Sequence, residues 1–304
     1  MILDLKFDSL AHINTPAVSA LEAANDIETF HARLALRPPK GVYAISMQQV
    51  VDRISSVARK TITLPKIDDS GKAVDDARNE YVTALDAMLD ACMEHLDDLN
   101  SVIKCFFTSE NDPKYKKIYD EFKKAIRPYR NHVAKMVNKI KHEQGRLRLI
   151  CHESALGQII GYFIESSDEN GVIGPDPEIH ILGQTAFSIS RDLRFHLCGI
   201  FFVAAQLAQA VYKACGIGVN GKPQHNQRLI EMIQEIAAIS PMFFPDELKK
   251  PFPAVKITSS KLHLTFGLQN LERARAPSHG KLSVSYRGDG VSRSFRIPYT
   301  LQQR

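Results

Sequence analysis

Two long runs of helical periodicity with opposite charge, between residues 73 and 148, constrain this chain more than any other feature. From Ala73 to Phe107, apolar residues recur at steps of three or four: Tyr81, Leu85, Met88, Cys92, Leu96, Leu99 and Ile103. That spacing puts them on one face of a helix. The other face is acidic, with eight carboxylates against two bases between Ala73 and Cys105. After a turn at Ser109–Asp112, Pro113 suits the first position of a second helix. Its apolar stripe runs through Tyr115, Ile118, Tyr119, Phe122, Ile126, Tyr129, Val133, Met136 or Val137, and Ile140, and twelve Lys or Arg face four Asp or Glu between Asp112 and Arg148. An acidic helix followed at once by a basic one predicts an antiparallel helical hairpin. Pro128 is expected to kink or break the second helix near Arg127, and Gly145 to end it.

Around this hairpin the chain reads as a mainly α helical bundle. Ala17–Leu36 has helical spacing, Ser46 is read as the cap of a short helix through Ala58, and Thr61–Leu64 as a short β segment. Residues 1–16 read as irregular. Leu147–Cys151, Ile159–Ile164 and Glu178–Leu182 read as extended, a small β excursion at about 147–182. Ser190 is read as the cap of a helix to about Cys215, and Gln224–Ile239 as another. After residue 250 the pattern alternates, Arg287-Gly-Asp-Gly290 signals a hairpin, and residues 251–304 hold nine Lys or Arg against two Asp or Glu. A boundary is therefore drawn there, between a helical domain at 1–250 and a small basic β-rich region at 251–304.

Composition limits the class. With 304 residues, 44% apolar and 24% charged, the chain has the proportions of a globular protein with a substantial core. The five cysteines are odd in number and form no C-x-x-C pair, so reduced, mostly buried thiols and a cytoplasmic location are expected. No basic region precedes a long apolar run at the N-terminus, and Leu197–Val211 is interrupted by Gln206 and Gln209, so neither a signal peptide nor a membrane span is expected.

The candidate chemistry lies in Tyr129–Gly145. At 100° per residue Val133, Val137 and Ile140 fall within about 60° of one another. Asn131, Lys135, Asn138 and His142 form a stripe on the opposite side, with Arg130, Lys139, Lys141, Arg146 and Arg148 around or beyond it. Imidazole can exchange a proton with a ribose hydroxyl near neutral pH, and amide and cationic groups one turn away can hold a phosphate. The plain alternative is a solvated helix face that contains one histidine.

Asn138-Lys-Ile-Lys-His142 resembles the end of the signature of the HEPN superfamily. These are helical-bundle proteins, many of them ribonucleases of bacterial defence, toxin–antitoxin and RNA-guided systems. The family pattern is an arginine, then a polar residue, then a histidine a few residues on, all on one late helix and commonly in a dimer cleft. The resemblance covers about residues 73–148 and implies that Asn138 and His142 face RNA in a homodimer cleft. Arg130, Lys135, Lys139, Lys141, Arg146 and Arg148 would hold phosphates. Cleavage would be metal-independent attack of a 2′-hydroxyl on the adjacent phosphate, with His142 as acid or base. The pattern departs at Val137, which stands where the arginine belongs. A non-catalytic interaction subunit of a defence or nucleic-acid-handling assembly, bound to a protein partner, fits equally well.

Other signals carry less. Gly216-Ile-Gly-Val-Asn-Gly-Lys222 has the spacing of a phosphate-binding loop, but Pro223 stands where a hydroxyl is needed, so it reads as a helix stop. Asp86, Asp90 and Glu94 share a helix face and read as partners of the basic helix rather than as a cation site. Asp176, Glu178 and His180 read as surface groups. Arg191, Arg194 and His196 open a helix against its dipole and need a partner such as the acidic helix or a phosphate. Lys281, Arg287, Arg293 and Arg296, interleaved with Tyr286, Phe295 and Tyr299, could contact nucleic acid. No cofactor or metal set is read.

Overall fold

The hairpin organises the structure, a computed structural model that describes residues 2–9, 13–24, 28–33, 35–65, 71–154, 157–169, 171–180, 186–218, 225–244, 247, 254–257, 261–267, 283–288 and 291–296. Helix α4 spans Lys72–Lys104 and helix α5 spans Pro113–His142, preceded by α1 (Pro16–Ala23), α2 (Glu28–Arg33) and α3 (Pro39–Thr63). After them come α6 (Ile189–Cys215) and α7 (Gln227–Ala238). The protein is mainly α with some β, as its periodicity predicts.

Local chemistry fixes the helix ends. Pro113 opens α5, where its missing N–H costs nothing, and Asp112 caps it by accepting from the Lys114 amide at 2.7 Å. The helix runs unbroken through Pro128. At its other end Gln144, not a glycine, takes the left-handed conformation at φ 59°. Gly145 follows because a Cβ there would press into the Lys139 side chain and carbonyl. Gly216, at φ 68°, ends α6 as expected.

Helix α6 is the centre. It packs on α1, α3, α4, α5 and α7, and on strands of both sheets. That is why it is apolar nearly all round. At 27 residues it is also long and apolar enough to cross a membrane, but 72% of its most apolar window is buried inside the protein, the pattern of a core helix. Gly199 on α6 lets the Tyr129 ring of α5 lie directly on its backbone, where a Cβ would overlap the ring.

Two sheets flank the bundle. Strand β1 (Ile2–Phe7) pairs antiparallel with β7 (Leu262–Gly267), which pairs with β6 (Ala254–Ile257). Strands β1 and β7 thus meet across the boundary drawn at residue 250. The second sheet holds β2 (Arg146–Ser154), β3 (Gly157–Ser167), β4 (Ile173–Pro175), β9 (Val291–Arg296) and β8 (Ser283–Gly288) in that order, with β5 (Phe187–Ser188) beside β3. The pair Gly288↔Val291 joins β8 to β9 where a hairpin was expected; Asp289 and Gly290 lie outside the described residues.

Five local expectations are corrected. Ser190 sits inside α6, whose N-cap is Ser188, and its hydroxyl accepts from Arg194. Residues 2–7 are a strand, because their partner lies more than 250 residues away. Ser46 sits inside α3, not at its start, because its hydroxyl pairs with His95 Nδ1 at 2.8 Å. Thr61 continues α3, because its hydroxyl donates to the Val57 carbonyl one turn back and sits 2.6 Å from the Tyr81 hydroxyl. Glu178–His180 is a turn, not a strand, because Asp176 Oδ1 accepts from the amides of Glu178 and Ile179.

Candidate functional site

The basic helix divides its charge between two settings. Along the edge facing α4, Arg130 reaches Asp97 at 3.4 Å and Lys141 reaches Asp90 at 2.9 Å. On the opposite edge Lys139 bridges Glu143 at 2.8 Å and the buried Asp176 at 3.0 Å. The hydrogen bonds that Lys139 donates to Glu143 and then to Asp176 raise its pKa. Burial opposes ionisation of Asp176, yet bonds from Ser166, Lys139 and two amides hold its carboxyl below the ordinary range. Beyond the helix, Arg148 on β2 pairs with Glu165 on β3 at 2.9 Å. Four of the six cations picked from the sequence as phosphate holders, Arg130, Lys139, Lys141 and Arg148, therefore already face carboxylates. Lys135 and Arg146 are exposed and make no ion pair among the described residues.

More unpaired cations precede them. Lys116, Lys117, Lys123, Lys124 and Arg127 are exposed and form no ion pair among the described residues. Lys123 rests over the Tyr119 ring, 5.0 Å from its centroid. At 100° per residue these five, with Asn131, Lys135, Asn138 and His142, fall within about 120° of one another, opposite the buried Ile118, Tyr129 and Val133. The stripe is roughly 40 Å long at 1.5 Å per residue. Asp120 is the one acid in it. Sequence inspection placed only its C-terminal half; the same wheel, turned back to Lys116, would have found the rest.

The catalytic candidates lie at the end of this stripe. Asn138 and His142 are exposed one turn apart, and neither makes a side-chain hydrogen bond or ion pair among the described residues. Val137 is 5% exposed and faces the core, so the site of the motif arginine points away from them. An imidazole in this position can exchange protons with a bound hydroxyl. Along this face Lys135 lies about two turns away, and Lys139, one turn away, is held by Glu143 and Asp176.

A second polar cluster escaped the sequence reading. Inside the bundle, Asp192 Oδ2 accepts from the Tyr162 hydroxyl at 2.8 Å and lies 3.5 Å from His196 Nε2. His196 Nδ1 is 3.0 Å from the Tyr129 hydroxyl and 3.8 Å from Cys92 Sγ. Burial alone would lower the His196 pKa, but the Asp192 carboxylate and Cys92 raise it to about 10. Burial likewise pushes the Tyr129 and Tyr162 hydroxyls up. His196 is fully buried and Asp192 nearly so. This Cys–His–Asp constellation is sealed from substrate and acts as a polar lock between α4, α5, α6 and β3. The Asp192–His196 spacing of four on an apolar helix is the signal that could have found it.

The remaining candidates resolve into structure. Arg191 donates to the Glu247 carbonyl, Arg194 to Ser190 and Ile239, and His196 meets Asp192, so each of the three finds a partner outside the acidic face of α4. Of the three residues read as surface groups, Glu178 is exposed, but Asp176 and His180 are buried, and His180 Nε2 accepts from the Ile164 amide. Among the described residues no three His, Cys, Asp or Glu are grouped to hold a metal. In the C-terminal strands the register sets Tyr286 opposite Arg293 and Val284 opposite Phe295; Lys281 and Tyr299 lie outside the described residues. Comparison with protein-family models, curated proteins and solved structures finds no match to this chain.

Proposed function

We propose that this protein binds RNA along the solvent face of α5. The observation that carries the reading is the stripe of six unpaired cations, Lys116, Lys117, Lys123, Lys124, Arg127 and Lys135, on one face of a single helix. The other cations of that helix are taken up by α4, by α6, or by Glu143 and Asp176, so these six are the ones left for phosphates. Asn131, Asn138 and His142 lie on the same face and offer hydrogen bonds to sugar hydroxyls and base edges. The resemblance of Asn138–His142 to the HEPN signature selects RNA among polyanions. Binding needs only this face; cleavage needs a charge-stabilising group that Val137 does not supply.

The test is fluorescence anisotropy of a labelled RNA against rising salt. Six phosphate contacts to a single strand give a slope of log K against log salt of about −4. An absence of binding at low salt removes this reading and leaves association with a protein partner.

A further inference from the structure

A cleft of about 200 Å³ opens where the end of α3, strand β3, the start of α6 and the end of α7 meet. Its wall is mixed. Thr61, Gln158, Ser190 and Ser240 bring hydroxyl and amide groups, and Ile62 and Ile239 bring apolar surface. Ile62 is 56% exposed, one of two large apolar side chains so open among the described residues. An aliphatic cavity of about 150 Å³ holds a benzene ring. This cleft therefore admits one ring with a small polar head.

A buried cation stands directly behind the wall. Arg194 is only 5% exposed. Its Nη1 donates to Ser190 O at 2.7 Å and Ser190 Oγ at 2.5 Å, and its Nη2 to Ile239 O at 3.0 Å. Among the described residues all three of its bonds end on residues that line the cleft, and none ends on a carboxylate. Every other buried charge at the start of α6 is answered. Asp192 has His196, and the Glu247 carboxyl accepts from the Ser188 and Phe244 amides in the field of Arg191. Burial lowers the Arg194 pKa, and no carboxylate among the described residues acts against it. A guanidinium in such a place is unfavourable unless a negative charge comes near. The N-cap of α6, Ser188, is also fully buried, makes no side-chain cap and leaves its hydroxyl without a partner among the described residues.

We propose that this cleft binds a small organic anion: a carboxylate on an apolar body about the size of one six-membered ring. The carboxylate lies against the Ser190 and Ser240 hydroxyls, in the field of Arg194. The ring lies on Ile62 and Ile239. The site shares no residue with the α5 stripe and stands or falls independently of RNA binding.

The experiment is a titration of the full chain with benzoate and with benzyl alcohol, followed by ligand-observed NMR. Benzoate is expected to bind at least about tenfold more tightly than its neutral counterpart. Ala238, exposed on the last turn of α7 at the cleft edge, can be enlarged without entering the core. Ala238→Phe should weaken benzoate at least about tenfold. Arg194→Met should bring the two ligands within about twofold of each other. Failure of benzoate to bind, equal binding of benzyl alcohol, or benzoate binding untouched by Ala238→Phe would each overturn the proposal. The last two readings hold whether or not Arg194→Met folds.

Discussion

Lys141 of α5 and Asp90 of α4 stand 2.9 Å apart, and this pair marks the line along which the charge of the basic helix divides. On the α4 side of that line the cations close the hairpin. On the water side they form no ion pair among the described residues for the length of the helix. The pairs themselves add little stability, because partly exposed ion pairs contribute roughly 0–1 kcal/mol each. Their consequence is selective: they decide which cations remain for a ligand.

Gly199 gives the first prediction. Its backbone lies against the Tyr129 ring, so Gly199→Ala forces α5 and α6 apart or Tyr129 out of its place beside His196. Such overpacking costs about 1–3 kcal/mol, which chemical unfolding will measure. An unchanged midpoint would mean that this contact has slack.

The end of α5 gives the second. Gln144 holds a left-handed conformation that glycine adopts without steric cost. Gln144→Gly is expected to raise stability by about 1 kcal/mol, and Gly145→Ala to lower it, because its Cβ meets the Lys139 carbonyl.

Acid sensitivity follows from His95. Burial lowers its pKa to about 4 from the ordinary 6.5. The unfolded chain therefore binds a proton that the folded chain refuses between these two values. Stability is full above pH 6.5 and falls as the pH drops toward 4, by about 3 kcal/mol from this group. His132, also lowered to about 4 by burial, adds in the same direction. His95→Gln can keep the hydrogen bond to Ser46 and removes the titration. Its unfolding free energy should depend less steeply on pH between 4 and 6.5 than that of the unaltered protein.

Much of the hairpin was legible in the sequence, because period and charge both repeat over thirty residues. The β1–β7 pairing was not, because no local pattern carries the register of a partner more than 250 residues away. Ser46 and Thr61 misled for one reason: a hydroxyl reads as a cap or a strand residue until its tertiary partner, His95 or Tyr81, is known. At the candidate site the residue types and the exposed face of Asn131, Lys135, Asn138 and His142 were visible. The pairing of Arg130 with Asp97 and of Lys141 with Asp90 needed the packing of α5 on α4.

Chemistry at His142 separates binding from cleavage. RNA incubated with the protein in EDTA is expected to stay full length, and His142→Ala to leave it equally intact. Cleavage that disappears in His142→Ala would replace the binding-only reading with a catalytic one.

The most direct measurement compares two triple variants. In one, Lys123, Lys124 and Lys135 become glutamine; in the other, Arg130, Lys141 and Arg148 do. Both are checked for folding by thermal melting, and RNA affinity is followed against salt. Losing the unpaired set should shallow the salt slope by about 2, at roughly 0.7 per contact, while losing the paired set leaves it within about 0.5. Equal loss in the two variants, or a greater loss in the paired set, would contradict the assignment of the α5 stripe as the RNA-binding face.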